Sequence, residues 1–125
     1  MNENGAFTWN ERLTRDLAGT KRFYGDVFGY AFEGLPGMPD DAYQLVKVGD
    51  QVVAGMFAIP DEVPAEAPPQ WVTYFWLDDV DAGFERVREL GGQVLREPVD
   101  SPYGRYAPAQ DPQGAGFCLI RGNTP

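Results

Sequence analysis

A pattern that recurs after 63 residues constrains this chain more than any other feature of its sequence. Asp16 precedes a segment whose apolar residues have the i, i+3, i+4, i+7 spacing of an amphipathic helix, and Gly29 ends that segment. Asp79 and Gly92 bracket a second segment of the same kind. Aspartate at the N-cap and glycine just beyond the last turn are typical helix ends. The sequence therefore predicts two helices at equivalent positions of a duplicated unit.

Segments typical of β-strands flank the two helices in the same order. One precedes each helix and three follow it, and most are rich in β-branched and aromatic residues. The final segments of the two halves also align, with Asp50 on Asp111 and Ile59 on Ile120. These features predict an α+β fold made of two tandem βαβββ modules. The predicted strands are 7–13, 30–33, 43–48 and 52–59 in the first module, and 71–77, 93–96, 105–110 and 116–121 in the second.

The two modules are expected to form one domain over residues 1–125. We place the first module at about 6–60 and the second at about 70–122. Residues 61–69 are acidic and rich in proline, which is typical of an extended linker.

The absence of histidine excludes several classes of chemistry. The 125 residues include no histidine and a single cysteine, Cys118. Imidazole is the usual nitrogen ligand of zinc, iron and copper, and it is the usual base beside a catalytic serine or cysteine. The sequence therefore argues against most transition-metal sites and against Ser-His or Cys-His catalysis. One cysteine forms no internal disulfide, which is compatible with the cytoplasm.

The formal charge of −9 argues against a nucleic-acid partner, because binding to a phosphate backbone needs clustered Lys and Arg. The first residues have neither a basic region nor an apolar run, and no apolar stretch approaches the roughly 20 residues that span a bilayer. We therefore expect a cytoplasmic protein without a membrane partner.

Several short motifs together give the chain a family resemblance. They are Phe7-Thr-Trp-Asn-Glu11, Asp16 with Phe23-Tyr24-Gly25 and Phe28-Gly29-Tyr30, Leu77-Asp-Asp-Val-Asp-Ala82, Leu90-Gly-Gly92, Gly104-Arg105 and Asp111-Pro-Gln-Gly-Ala115. In this order the motifs resemble the vicinal oxygen chelate superfamily of glyoxalases, bleomycin-resistance proteins and extradiol dioxygenases, in particular its small actinobacterial-type members. The resemblance implies an incomplete eight-stranded barrel around a cavity, with the helices outside.

The resemblance also indicates where a metal would be held. Metal-using members of this superfamily carry ligands on the first and last strands of each module. Those positions correspond here to Trp9, Phe57, Val72 and Cys118. Three of these side chains have no atom that ligates a divalent cation, and one thiol is insufficient. We therefore expect no metal and no cofactor.

Side chains alternate between the two faces of a strand, so the cavity-facing residues follow from the four positions that the resemblance assigns to metal ligands. Tyr43, Tyr103 and Tyr106 are candidates for the rim, and Arg105 enters the seventh strand beside them. Trp9 and Trp76 either line the cavity or fill it. The predicted ligand-binding residues are Phe7, Trp9, Glu11, Phe57, Val72, Tyr74, Trp76, Tyr103, Arg105 and Cys118.

Glu11 is the candidate residue with the most alternative roles. An unpaired buried carboxylate is costly in free energy, so a carboxylate on the cavity face needs a partner. Three alternatives are open for it: an ion pair with Arg105 or Arg12, a contact with a ligand cation, or a role as a proton-transferring base. Arg105 either binds a ligand anion or forms half of that ion pair. Cys118 is predicted to be a small core residue.

These observations favour a metal-independent protein that binds a cationic or aromatic small molecule in an aromatic cavity, as bleomycin-resistance proteins do. The alternative is a cofactor-free isomerase, epimerase or lyase with Glu11 as the general base on a small carbonyl or phenolic substrate. A third interpretation is a filled cavity in a module that acts through protein contacts. The resemblance further implies a homodimer.

Overall fold

A computed structural model of the protein describes residues 3–61 and 68–122. Over these residues it is an α+β protein, as the repeat predicts, with two helices and nine strands. Most of the predicted linker lies outside the described residues. The helices are α1 (Leu17–Phe28) and α2 (Val80–Glu89); the strands are β1 (Phe7–Thr14), β2 (Ala31–Gly34), β3 (Tyr43–Val48), β4 (Gln51–Ala58), β5 (Gln70–Trp76), β6 (Gln93–Val94), β7 (Val99–Ser101), β8 (Gly104–Gln110) and β9 (Gly116–Gly122).

Both helices begin at the predicted aspartates. The Asp16 side chain accepts a hydrogen bond from the Gly19 backbone N–H, and the Asp79 side chain accepts one from Ala82. Gly29 ends α1 with a φ of 74°, a left-handed conformation that favours glycine. The glycine with a positive φ after α2 is Gly91, so the capping pattern predicted both helix starts and the end of α1 correctly and placed the end of α2 one residue too late.

The strand count exceeds the predicted eight by one. The predicted strand 93–96 is shortened to β6, and β7 follows it as a separate strand that pairs with β8. Pro98 lies between the two and has no N–H to donate to a sheet. Proline therefore marks the break between the shortened β6 and β7, a strand that was not predicted.

Contacts divide the chain into two compact units. The first comprises the described residues from 9 to 71, with the strand order β2-β3-β4-β1 and α1 on one face. β1 and β4 are parallel, and the other neighbouring pairs are antiparallel. The core of this unit consists of Val46, Ala54 and Met56, against which Leu17 and Tyr24 of α1 pack.

The second unit comprises the described residues up to 8 and those from 72 onward. Its strands follow the order β5-β9-β8-β6, and β7 pairs with β8. The chain that leads into β1 runs along β5, and Ala6, the residue before β1, accepts a hydrogen bond from the Trp76 N–H at 2.8 Å. Val80 and Phe84 of α2 pack on Ala107 and Leu119.

Arg105 fixes α2 to β8 through a pair of parallel hydrogen bonds. Its Nε and Nη2 donate to the two carboxylate oxygens of Asp81 at 2.9 and 2.8 Å, and Nη1 donates to Asp100 at 3.0 Å. Hydrogen bonds from Arg105 hold the pKa of Asp81 below its usual range, and those to Asp81 and Asp100 raise the pKa of Arg105. We name Arg105, Asp81 and Asp100 the Arg105 clamp. Its side chains are exposed, so dissolved salt screens the attraction between their charges.

Neither helix is long and apolar enough to cross a bilayer within the described residues.

The first core predicts an asymmetric response to truncation along β4. Met56 is fully buried and Val52 is 43% exposed. We expect Met56→Ala to lower the free energy of unfolding by about 2–5 kcal/mol, because it leaves a cavity. Val52→Ala in the same strand should cost less than about 1 kcal/mol. Urea denaturation of both variants measures this difference, and equal losses would contradict the assignment of the core.

The Arg105 clamp predicts a change in the titration of Asp81. In Arg105→Gln the pKa of Asp81 should rise toward its ordinary value of about 3.9, because the hydrogen bonds that favour the carboxylate are lost. Carbon-detected NMR of the aspartate carboxyl groups measures it. Arg88→Gln, which removes the partner of Glu85 on the same helix, is the matched control and should leave Asp81 unchanged.

The sign of the linked effect on stability follows from the direction of the shift. The folded-state pKa of Asp81 is depressed, so its stabilising contribution is present above the unfolded-state pKa. That contribution is lost as the pH falls through the folded-state value. The free energy of unfolding of Arg105→Gln should therefore fall less steeply than that of the wild type as the pH is lowered through the folded-state pKa of Asp81.

Candidate functional site

The first unit places a carboxylate on the sheet face opposite α1. Glu11 lies in β1 directly across from Gly55 of β4, and it is only 9% exposed. Ala54 and Met56, the neighbours of Gly55, point toward α1, so the alternation of side chains turns Glu11 away from the helix. A carboxylate at this depth needs hydrogen bonds.

Tyr43 supplies one of them. Its hydroxyl donates to Glu11 Oε2 at 2.6 Å, and the hydroxyl oxygen of Tyr43 in turn accepts a hydrogen bond from the Trp9 indole Nε1 at 3.1 Å. Tyr43 is 7% exposed, and Trp9 is half-buried. Three side chains from β1 and β3 are thereby joined in one hydrogen-bonded chain.

Phe57 completes the aromatic surroundings. Its ring lies 6.1 Å from that of Tyr43, to which it is directly opposed in the antiparallel pairing of β3 and β4. Trp9, Glu11 and Phe57 were predicted site residues, and the structure brings them together around Tyr43. We name Trp9, Glu11, Tyr43 and Phe57 the Glu11 cluster.

Neither arginine considered as a partner of Glu11 is directed to it in these contacts. The Arg12 guanidinium lies 5.9 Å from the centre of the Tyr24 ring, on the α1 side of the sheet. Arg105 donates to Asp81 and Asp100 on the α2 side. The geometry around Glu11 shows a hydrogen bond from Tyr43, and an ion pair of Glu11 with Arg12 or Arg105 stays a prediction.

The remaining predicted residues belong to the second unit. Tyr74 opposes Cys118 in the pairing of β5 with β9, and its ring lies 6.5 Å from that of Tyr106. Cys118 is buried, as a small core residue would be, and Val72 and Trp76 are each 7% exposed. The predicted site residues on the face of β5 and β9 opposite α2 are Val72, Tyr74, Trp76 and Cys118.

Two predicted residues occupy exposed positions. Phe7 is 75% exposed, and its ring makes an edge contact with Phe75 at 4.5 Å. Phe75 in turn contacts Phe117, which packs against the α2 core, so Phe7 lies on the α2 side. Tyr103 is 50% exposed in the turn before β8. The binding roles of Phe7, Tyr103 and Arg105 stay predictions.

Each unit also carries an open groove. In the second unit a groove of about 530 Å³ is lined mainly by apolar side chains, including Phe75, Trp76 and Phe117, with Asp111 also in its lining. The Trp76 indole N–H donates to Asp78 at 3.0 Å. In the first unit a groove of about 480 Å³ lies between α1 and β2.

The residues at the expected metal positions do not fit a metal ion. Indole, phenyl and isopropyl groups at Trp9, Phe57 and Val72 offer no ligating lone pair, and the Cys118 thiol is buried. Among the described residues, no three His, Cys, Asp or Glu side chains come together as a metal-binding group.

The sequence indicates Tyr43 only as one of three tyrosines at the rim, and it indicates no role for Gly55 at the site. The signal for Gly55 was present, because glycine inside a strand often marks a close approach. Tyr43 needed the β3–β4 register, which the sequence does not state.

Comparison with known proteins gives the family. A model described as the Glyoxalase/Bleomycin resistance protein/Dioxygenase superfamily matches residues 8–119. "Putative glyoxylase CFP32" of Mycobacterium tuberculosis is 37% identical over 97% of this chain and 46% of that protein. "Anthracycline biosynthesis protein DnrV" of Streptomyces peucetius is 36% identical over 93% of this chain and 41% of that protein. The chain thus spans about half the length of these curated relatives.

Solved structures show the same fold. Hypothetical protein BH1468 from Bacillus halodurans aligns with a TM-score of 0.67 at 12% identity, over 98% of both chains. Methylmalonyl-CoA epimerase from Mycobacterium tuberculosis aligns with a TM-score of 0.63 at 17% identity, over 98% of this chain and 91% of the epimerase. With its duplicated βαβββ pattern and the family match over residues 8–119, the chain belongs to the glyoxalase/bleomycin resistance protein/dioxygenase superfamily.

Proposed function

We propose that the chain is a metal-independent small-molecule binding protein whose ligand is an aromatic compound with a positively charged group. The observation that carries the proposal is the buried Glu11 carboxylate, which accepts a hydrogen bond from Tyr43, a residue that itself contacts the aromatic side chains of Trp9 and Phe57. Aromatic walls with a few fixed polar groups are the usual composition of a small-molecule site.

The chemistry of the cluster selects the ligand class. Indole and phenyl faces bind planar rings and attract cations. The carboxylate adds a negative charge in surroundings that screen it less than water does. The side chains at the family's metal positions support metal independence, because they offer no ligand set. A cationic aromatic compound therefore complements this surface better than an anionic one.

The relatives suggest a chemical class for the first probe. Two of them are named anthracycline biosynthesis proteins, from Streptomyces peucetius and Streptomyces sp. strain C5, and each is 36% identical to this chain. Anthracyclines are planar aromatic compounds, and daunorubicin carries a basic amine. Its N-acetyl derivative has the same ring system without the positive charge, which gives a matched pair of ligands.

The binding prediction uses that pair in isothermal titration calorimetry. The wild-type protein should bind daunorubicin more tightly than N-acetyldaunorubicin. Glu11→Gln should weaken daunorubicin binding by roughly 10-fold or more, because a hydrogen bond or ion pair with a charged group contributes about 1.5–3 kcal/mol. Glu33→Gln is the control, because Glu33 is an exposed carboxylate paired with Lys47 on β3. Absence of binding by either compound to the wild type would overturn the proposal for this class.

A second function is favoured by the burial of the Glu11 carboxylate, which is only 9% exposed. A carboxylate that water reaches poorly is a candidate general base, and such a base contributes roughly 10²–10⁴-fold to a rate. The alternative activity is therefore cofactor-free proton transfer at a carbon next to a carbonyl group. An isomerase, epimerase or lyase would begin with this step.

The enzymatic alternative predicts hydrogen exchange in a simple carbonyl compound. In D₂O the wild-type protein should accelerate exchange of the α-protons of phenylacetaldehyde above the buffer rate, as followed by ¹H NMR. Glu11→Gln should abolish the acceleration while its circular dichroism spectrum stays native. Equal rates for the wild type and Glu11→Gln would remove Glu11 from this role.

Homodimer formation and a cytoplasmic location stay predictions.

A further inference from the structure

The hydrogen-bonded chain around Glu11 has a defined direction. A tyrosine hydroxyl has one proton, and in Tyr43 that proton is donated to Glu11 Oε2 at 2.6 Å. The Trp9 indole has only a donor, and it is directed at the Tyr43 oxygen at 3.1 Å. Each donor in such a chain polarises the next, so the indole strengthens the hydrogen bond that Tyr43 makes to the carboxylate.

Gly55 provides the space for the Tyr43 hydroxyl. A β-carbon built on Gly55 would lie 1.7 Å from the hydroxyl oxygen and 2.4 Å from the ring carbon that bears it. Both distances are far below van der Waals contact, so any other residue at position 55 displaces Tyr43. Gly55 also lies directly across from Glu11 in the pairing of β1 with β4. The backbone of β4 is therefore bare where Tyr43 meets Glu11.

We propose that Tyr43, seated by Gly55 and aligned by Trp9, is a positioning residue that makes the Glu11 cluster selective for a positively charged group. This inference rests on the proposed binding function. The hydroxyl holds the carboxylate in one orientation through its hydrogen bond to Oε2, and a hydrogen bond to an ionised group is stronger than one between neutral groups. Without the hydroxyl, the cluster keeps its aromatic walls and loses the fixed charge that distinguishes a cation from a neutral compound of the same shape.

Tyr43→Phe separates this role from simple packing. Phenylalanine keeps the ring that contacts Phe57 and removes only the hydroxyl group. A residue that merely supports the fold would weaken binding of cationic and neutral ligands alike. A positioning residue changes the ratio of the two affinities. Tyr30→Phe is the matched control, because Tyr30 packs against the α1 core of the same unit.

A first experiment needs no ligand. The three tryptophans give three indole N–H signals in ¹⁵N-¹H NMR, and Trp9→Phe assigns the signal of Trp9. In the wild-type background, Glu11→Gln should shift the Trp9 signal, because Tyr43 transmits the loss of charge. In the Tyr43→Phe background the same substitution should leave it in place. Equal shifts of the Trp9 signal in both backgrounds would overturn the inference that Tyr43 couples Glu11 to Trp9. Should Tyr43→Phe fail to fold, Gly55→Ala displaces the same hydroxyl and serves as the second background.

A second experiment measures selectivity. The ratio of dissociation constants for N-acetyldaunorubicin and daunorubicin should fall by roughly 10-fold or more in Tyr43→Phe, the factor that corresponds to losing one charge-assisted interaction, and should stay unchanged in Tyr30→Phe. Binding of both compounds by the wild type with an unchanged ratio in Tyr43→Phe would overturn the inference alone. Absence of binding by the wild type would instead contradict the proposed function, and the NMR coupling would still decide whether Tyr43 controls Glu11.

Discussion

The burial of a single carboxylate is the constraint on which the first unit depends. An ionised group that leaves water without partners costs more free energy than most residues contribute to stability. Glu11 avoids that cost through the Tyr43 hydroxyl, and Tyr43 reaches it because Gly55 leaves the backbone of β4 bare. The parallel register of β1 on β4 and the antiparallel register of β3 on β4 must both hold. A slip of one residue would turn Glu11 into the apolar face that carries Met56.

The two units share the βαβββ order and use their charged groups differently. In the first, a carboxylate lies inside the face opposite the helix, among aromatic side chains. In the second, Arg105, Asp81 and Asp100 form an exposed clamp on the helix side of the sheet. Tyr74 and Cys118 occupy the opposite face of that unit. Duplication therefore explains the backbone, and the individual side chains give the first unit its acidic site.

Local signals in the sequence were sufficient for the helices and for most strands, because capping and alternation act over a few residues. The same alternation predicted the common face of Trp9 and Glu11, and the family resemblance added Phe57. It was insufficient for Phe7, which contacts Phe75 on the α2 side, because a contact between residues 68 positions apart depends on how β1 lies along β5. Arg105 illustrates the same limit, since its partner Asp81 lies 24 positions away on α2. β7 was missed because its three residues follow a proline and carry little strand signal.

The Tyr43 hydrogen bond also bears on the choice between binding and catalysis. A hydroxyl that stabilises the charged carboxylate makes Glu11 a better partner for a cation. The same hydrogen bond occupies Glu11 Oε2, so that oxygen takes a proton from a substrate only when Tyr43 gives up its contact. An enzyme with Glu11 as its base would therefore gain from losing this hydroxyl, whereas a binding protein would lose selectivity. Gly55 leaves space for the Tyr43 hydroxyl, so the geometry at this position favours the binding function over catalysis by Glu11.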